Sequence, residues 1–158
     1  MSLVEFALIL PLFALMLFGM IDFGLVVGGF ISLRNQVNAA GRDVAISQSP
    51  AACAGNANPV LCIATHTIRT TELGAAGTVE VAVDFPDWNP ATGETVPTAG
   101  QPVVICARAT LHSTTGMTSA ILNGRAMQAT TETVLEVDPS APANNDWDAS
   151  DTRGFSRP

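Results

Sequence analysis

Residues 6–31, FALILPLFALMLFGMIDFGLVVGGFI, decide how the rest of the chain is read. The stretch exceeds the roughly 20 apolar residues that a helix needs to cross a bilayer. Its only formal charge is Asp22, and the next along the chain is Arg34. A secretory signal shows a basic region, a shorter apolar core and then a small-residue cleavage site. No basic residue precedes Phe6, and no such site precedes Arg34-Asn35-Gln36. The expectation is a segment whose basic leader has been removed, with Met1 at the processed end.

Glu5 stands at the edge of this run. A carboxylate there is costly to desolvate unless it is paired. It either stays hydrated at a membrane interface or meets an ammonium. Within one helix the Met1 amine lies four residues away, and a neighbouring copy staggered along the axis could offer its own. One buried acid would then neutralise one buried amine and set the register of assembly.

Met1-Ser2-Leu3-Val4-Glu5-Phe6-Ala7-Leu8-Ile9-Leu10-Pro11, with the later Phe18-Gly19-Met20-Ile21-Asp22-Phe23-Gly24, resembles the start of TadE-like pilins and pseudopilins. That family belongs to the wider type IV pilin group. The resemblance implies a short basic leader cut by a prepilin peptidase, with the acid at mature position five, where Glu5 stands. It implies an N-terminal amine that is usually methylated. It further implies a subunit inserted in the cytoplasmic membrane and then built by inner-membrane pilus machinery into an extracellular filament, a kind associated with cell adhesion. The partners are copies of itself in a helical filament. A minor pseudopilin that primes or caps a Tad-type pilus or secretion machine is the alternative, because both need the same helix.

Beyond residue 33 the helix becomes amphipathic. Val37, Gly41 and Val44 share one face, while Asn35, Asn38 and Arg42 point elsewhere. Ser47-Gln48-Ser49-Pro50 ends it. At ~1.5 Å per residue the whole helix is about 70 Å long, and its apolar half must sit in lipid or among other helices. Gly24-Leu25-Val26-Val27-Gly28 is a G-x-x-x-G, which permits close backbone approach between helices. Pro11 has no amide to offer the Ala7 carbonyl, so a kink or local loosening is expected there. The phenylalanines at 6, 13, 18, 23 and 30 read as core packing rather than as a conducting stack.

The remainder reads as a small head, so the fold class is α+β: a long N-terminal helix carrying a three-stranded antiparallel sheet packed on it. Residues 1–49 form the helix, 50–137 the head and 138–158 an acidic tail with Pro and Asn. Asn58-Pro59 is an N-cap and first-turn pair opening a helix that Gly74 stops near Leu73. Strands are expected at 78–85, where Val79, Val81, Val83 and Phe85 alternate along one face, and at 102–111 and 128–137. Residues 86–100 are loop, and Thr115 with Gly124 would cap a brief helix before the third strand. The tail has the composition of a disordered segment.

Cys53 and Cys62 bracket a turn and suit a disulfide in an oxidising compartment, leaving Cys106 as a buried small hydrophobe. Cys62 and His66 at i, i+4 raise zinc as a rival, but no second pair of ligands lies close in sequence. No metal or cofactor is therefore expected. His66 and His112 are isolated, Asp146 and Asp148 lie in the tail, and there is no phosphate loop, nucleophile elbow or H-E-x-x-H. The chain does not read as an enzyme. Nor does it read as a nucleic-acid binder. Its net charge is −7, with seven Arg and no Lys, and binding phosphate or an anionic membrane surface as the main partner needs clustered positive charge. Intact-mass measurement of native material is expected to give a chain that starts at Met1, with a free or methylated amine.

Overall fold

The computed structural model describes residues 3–48, 50–53, 58–68, 76–86, 97–116 and 118–139. Helix α1 runs from Leu3 to Ala45 as one unbroken element, passing Pro11. It is followed by a 3-10 turn at Ala51–Cys53, α2 (Pro59–Thr67), β1 (Ala76–Asp84), β2 (Pro102–Leu111), α3 (Ser119–Leu122) and β3 (Ala126–Val134). The three strands form one antiparallel sheet in the order β1-β2-β3. This is the α+β architecture expected from the sequence.

The helix ends through its own backbone. Ser47 adopts the left-handed region at φ 49°, the Gln48 amide donates to the Asp43 carbonyl at 2.9 Å and the Ser47 amide to the Val44 carbonyl at 3.0 Å. Such bonds satisfy carbonyls that the last turn otherwise leaves without partners. Pro50 then prevents continuation.

One stripe of α1 enters the head. Asp22, Gly29, Leu33, Val37, Ala40 and Val44 are buried, recurring every three or four residues or at multiples of a turn. Against them lies the inner face of the sheet: Val103, Ile105, Ala107, Ala109 and Leu111 from β2, and Met127 and Ala129 from β3. Val83 of β1 and Phe85 just after it close the core with Val60, Ile63, Ala64 and Ile68. At Gly41 the helix and β3 are in close contact. A Cβ there would sit 3.1 Å from the Thr131 Cγ2, so a hydrogen at this position lets the two elements touch.

The sheet runs along the helix, and its two ends are tied to it. At the far end the Glu136 amide donates to the Ala45 carbonyl at 2.8 Å and the Ser47 hydroxyl to the Val137 carbonyl at 3.3 Å. At the near end the connection after β2 reaches Asp22. Some ~35 Å of helix separates these ties.

Several sequence expectations shift. Helix α2 opens at Asn58, whose side chain accepts from the Leu61 amide, but it stops at Thr67 rather than near Leu73. Ile68 turns extended to enter the core, and the hydroxyls of Thr65 and Thr67 take up carbonyls of the preceding turn. Gly74 lies outside the described residues. Strand β1 occupies 76–84 rather than 78–85. Strand β3 occupies 126–134 rather than 128–137, because residues 135–137 leave its ladder to tie onto Gln101, Ala45 and Ser47. Thr115 does not cap α3. Thr118 stands at the N-cap, without a capping bond from its side chain. Cys106 is free and half-buried on the outer face of the sheet, not in the core, with the Thr130 hydroxyl 3.6 Å away. Residues 87–96 and the tail from 140 also lie outside the described residues.

Gly41→Val is expected to destabilise the head by about 1–3 kcal/mol, as overpacking of a tight contact does. Thermal unfolding in detergent measures this. The double variant Gly41→Ala/Thr131→Ala, which removes the opposing methyl, should stay close to the parent.

Candidate functional site

Every described residue from Val4 to Ile21 lies outside the head. Phe6, Phe13, Phe18, Phe23 and Phe30 are all exposed, as are Leu8, Leu12 and Met16. The phenylalanines thus have no core within the chain, as expected of a helix half that has no domain of its own to bury it. An apolar surface of this extent is not left in water, and it requires lipid or other helices. The helix is long and apolar enough to cross a membrane.

Glu5 is exposed in the first turns of α1, near the helix N-terminus, where a carboxylate is favoured by the backbone dipole. Met1, whose amine is expected to meet Glu5, and Ser2 lie outside the described residues. Pro11 is exposed on the same unbroken helix. A Cβ at Gly24 or Gly28 would meet nothing within 4 Å. Together with Met20, Val27 and Ile31 these glycines belong to the faces turned away from the head, and all five are exposed. Further along, Asn35, Asn38 and Arg42 are exposed, so the apolar stripe ends where the head-covered half becomes polar.

The feature that sequence reasoning did not find is the environment of Asp22. It is 1% exposed, the one buried charged side chain among the described residues. Its Oδ2 accepts from the hydroxyls of Ser113 at 2.8 Å and Thr115 at 2.7 Å, and from that of Thr118. Its Oδ1 accepts from the Thr115 amide at 3.2 Å. The loop braces itself as well: the Ser113 hydroxyl accepts from the Gly116 amide and lies 3.1 Å from the Thr118 hydroxyl. A carboxylate surrounded by donors can leave water without remaining unsatisfied. The signal was present as Ser113-Thr114-Thr115 and Thr118, a hydroxyl cluster with no acid nearby in sequence, but nothing local ties it to a residue 91 positions earlier.

Cys53 and Cys62 are joined by a disulfide, with Cα atoms 5.7 Å apart. Cys62 is thereby unavailable as a partner for His66 in a metal site. Closing so short a loop removes about 2–3 kcal/mol of unfolded-state freedom in the chain-entropy account.

The architecture is that of a small head carried on an apolar helix with most of its N-terminal half outside the head. The family model described as TadE-like protein matches residues 1–45, which takes in α1 from end to end. The chain is thus consistent with a TadE-like, pilin-type protein, a structural rather than enzymatic kind, and the helix fits membrane anchorage. No curated protein and no solved structure matches the chain.

Asp22→Ala removes the acceptor shared by Ser113, Thr115 and Thr118. Hydrogen exchange at Thr115 and neighbouring amides should accelerate markedly, while amides in β2 keep their protection. Asp22→Asn, which retains one carbonyl acceptor, should fall between Asp22→Ala and the parent.

Proposed function

We propose that this chain is a structural subunit of an extracellular pilus-like filament, held in the cytoplasmic membrane by α1 until it is assembled. The observation that carries the reading is the largely exposed apolar surface from Val4 to Ile21 with Glu5 at its outer end, inside the segment that matches TadE-like proteins. In a filament, that surface is buried by the same helix of other copies. Gly24 and Gly28, open on the side away from the head, let a neighbouring backbone come close.

Glu5 neutralises an N-terminal amine, its own or a neighbour's, in this arrangement. Desolvating an unpaired charge costs on the order of several kcal/mol, so the acid enters an apolar seam only with a partner. Apolar packing alone slides with little preference, and the charge pair supplies register. Prepilin peptidase and the inner-membrane pilus machinery are the partners this route requires. The disulfide between Cys53 and Cys62 suits the oxidising side of the membrane.

Electron microscopy of sheared cell-surface material, with mass spectrometry of the filament, tests the reading. A filament composed mainly of this chain is expected. Trace amounts in a filament made of another subunit would instead assign it as a minor pseudopilin that primes or caps the structure. Glu5→Ala should leave the head folded and its disulfide intact, yet reduce filament yield severely relative to membrane-held subunit. Glu5→Gln should do the same, and normal filaments from both variants would show that the acid has no part in assembly.

A further inference from the structure

We propose that the end of the head around α3 rests on the bilayer surface before assembly, with Ile121 dipping into the lipid interface and Arg125 facing lipid phosphates. The inference rests on the reading that α1 is inserted in a membrane.

The strand register fixes which end of the head this is. Leu111, the last residue of β2, pairs with Ala76 at the start of β1, and Thr110 pairs with Ala126 at the start of β3. The connection between β2 and β3 therefore lies at one end of the sheet. The three hydroxyls on Asp22 tie that connection to α1. Asp84, Pro102 and Val134 lie at the other end, beside the tie from Glu136 to Ala45.

Asp22 also marks a length. From Leu3 to Ile21 the helix rises about 28 Å, close to the ~30 Å thickness of a hydrocarbon core. The length of helix that the head leaves uncovered thus ends where the loop closes on it, while exposed apolar side chains continue on the outer faces to Ile31. A polar loop at Asp22 stays out of the hydrocarbon and comes to the level of the headgroups. Helix α3 is one turn from this point, because the Ile121 and Leu122 amides both donate to the Thr118 carbonyl, at 2.9 and 3.0 Å.

Two features of this end match a lipid surface. Ile121 is 66% exposed, and among the described residues outside α1 the other exposed large apolar side chains, Ile46, Val134 and Val137, all lie towards the far end. Charge is divided the same way. Residues 112–125 contain His112 and Arg125 but no acid, in a chain of net charge −7. Asp84, Glu132, Glu136 and Asp138 lie towards the far end, so Val134 and Val137 are rimmed by acids that a phosphate surface would repel. The Arg125 Nε donates to the Ile121 backbone carbonyl at 3.1 Å, which holds the guanidinium close to α3. Its other N–H groups suit phosphate oxygens. An apolar tip with a neighbouring cation is the chemistry of a shallow interfacial anchor, buried about 5–10 Å deep.

Environment-sensitive fluorophores test this in the full chain reconstituted into phosphatidylcholine vesicles, in a Cys106→Ala background. Single labels are placed through Phe13→Cys, Ile121→Cys and Val134→Cys. The label at 13 should be quenched by nitroxides deep in the acyl chains. The label at 121 should be blue-shifted and quenched by nitroxides near the headgroups, and the label at 134 should be quenched by aqueous iodide alone. If the label at 13 is in lipid while that at 121 behaves like that at 134, the contact with the bilayer surface is overturned and the inserted helix stands. If the label at 13 is itself in water, membrane insertion fails and this inference fails with it.

Discussion

The Asp22 carboxylate accepts from three hydroxyls and one amide of a loop more than ninety residues away, and these bonds hold the near end of the head on α1. Without them the helix would carry a charge in an apolar run with nothing to satisfy it. With them, the charge becomes the point at which an element suited to lipid turns into an element suited to a protein core. Residues before Asp22 present apolar side chains on every side. Residues after it present one stripe to the sheet and turn progressively polar on the others.

The same helix thus answers to two environments, and the sheet responds to that division. Two ties, at Asp22 and Ala45, leave the head little freedom to slide or rotate along the axis. Between them Gly41 admits β3 to close contact, and Leu33, Val37, Ala40 and Val44 fill the space against β2 and β3. The disulfide secures the link between α1 and α2 on the other flank. A head fixed in this manner moves with its helix, a property the proposed filament subunit would use.

The apolar half of α1 gains nothing from this head. Its large apolar side chains from Val4 to Ile21 are exposed, and Gly24 and Gly28 face open space. In a chain whose remaining described residues form a small, well-packed core, so large an apolar surface needs lipid or other helices to cover it. The match of residues 1–45 to TadE-like proteins lies on this same element.

Much of this was legible locally. An uninterrupted apolar run, Glu5 before it, the N-cap at Asn58 with Pro59, alternation through β1 and β2, and two cysteines across a turn each act over a few residues, so the long helix, the sheet and the bonded pair could be read directly. Boundaries set by distant partners could not. Strand β3 stops at Val134 because the chain turns to bond the end of α1, and α2 stops at Thr67 because Ile68 is needed in the core. Asp22 shows the limit most plainly. A charge interrupting the apolar helix and a cluster of hydroxyls at 113–118 are both plain in the amino-acid order. That they meet is a product of the folded chain, because hydrogen bonds reach about 3 Å and depend on how the sheet lies along the helix.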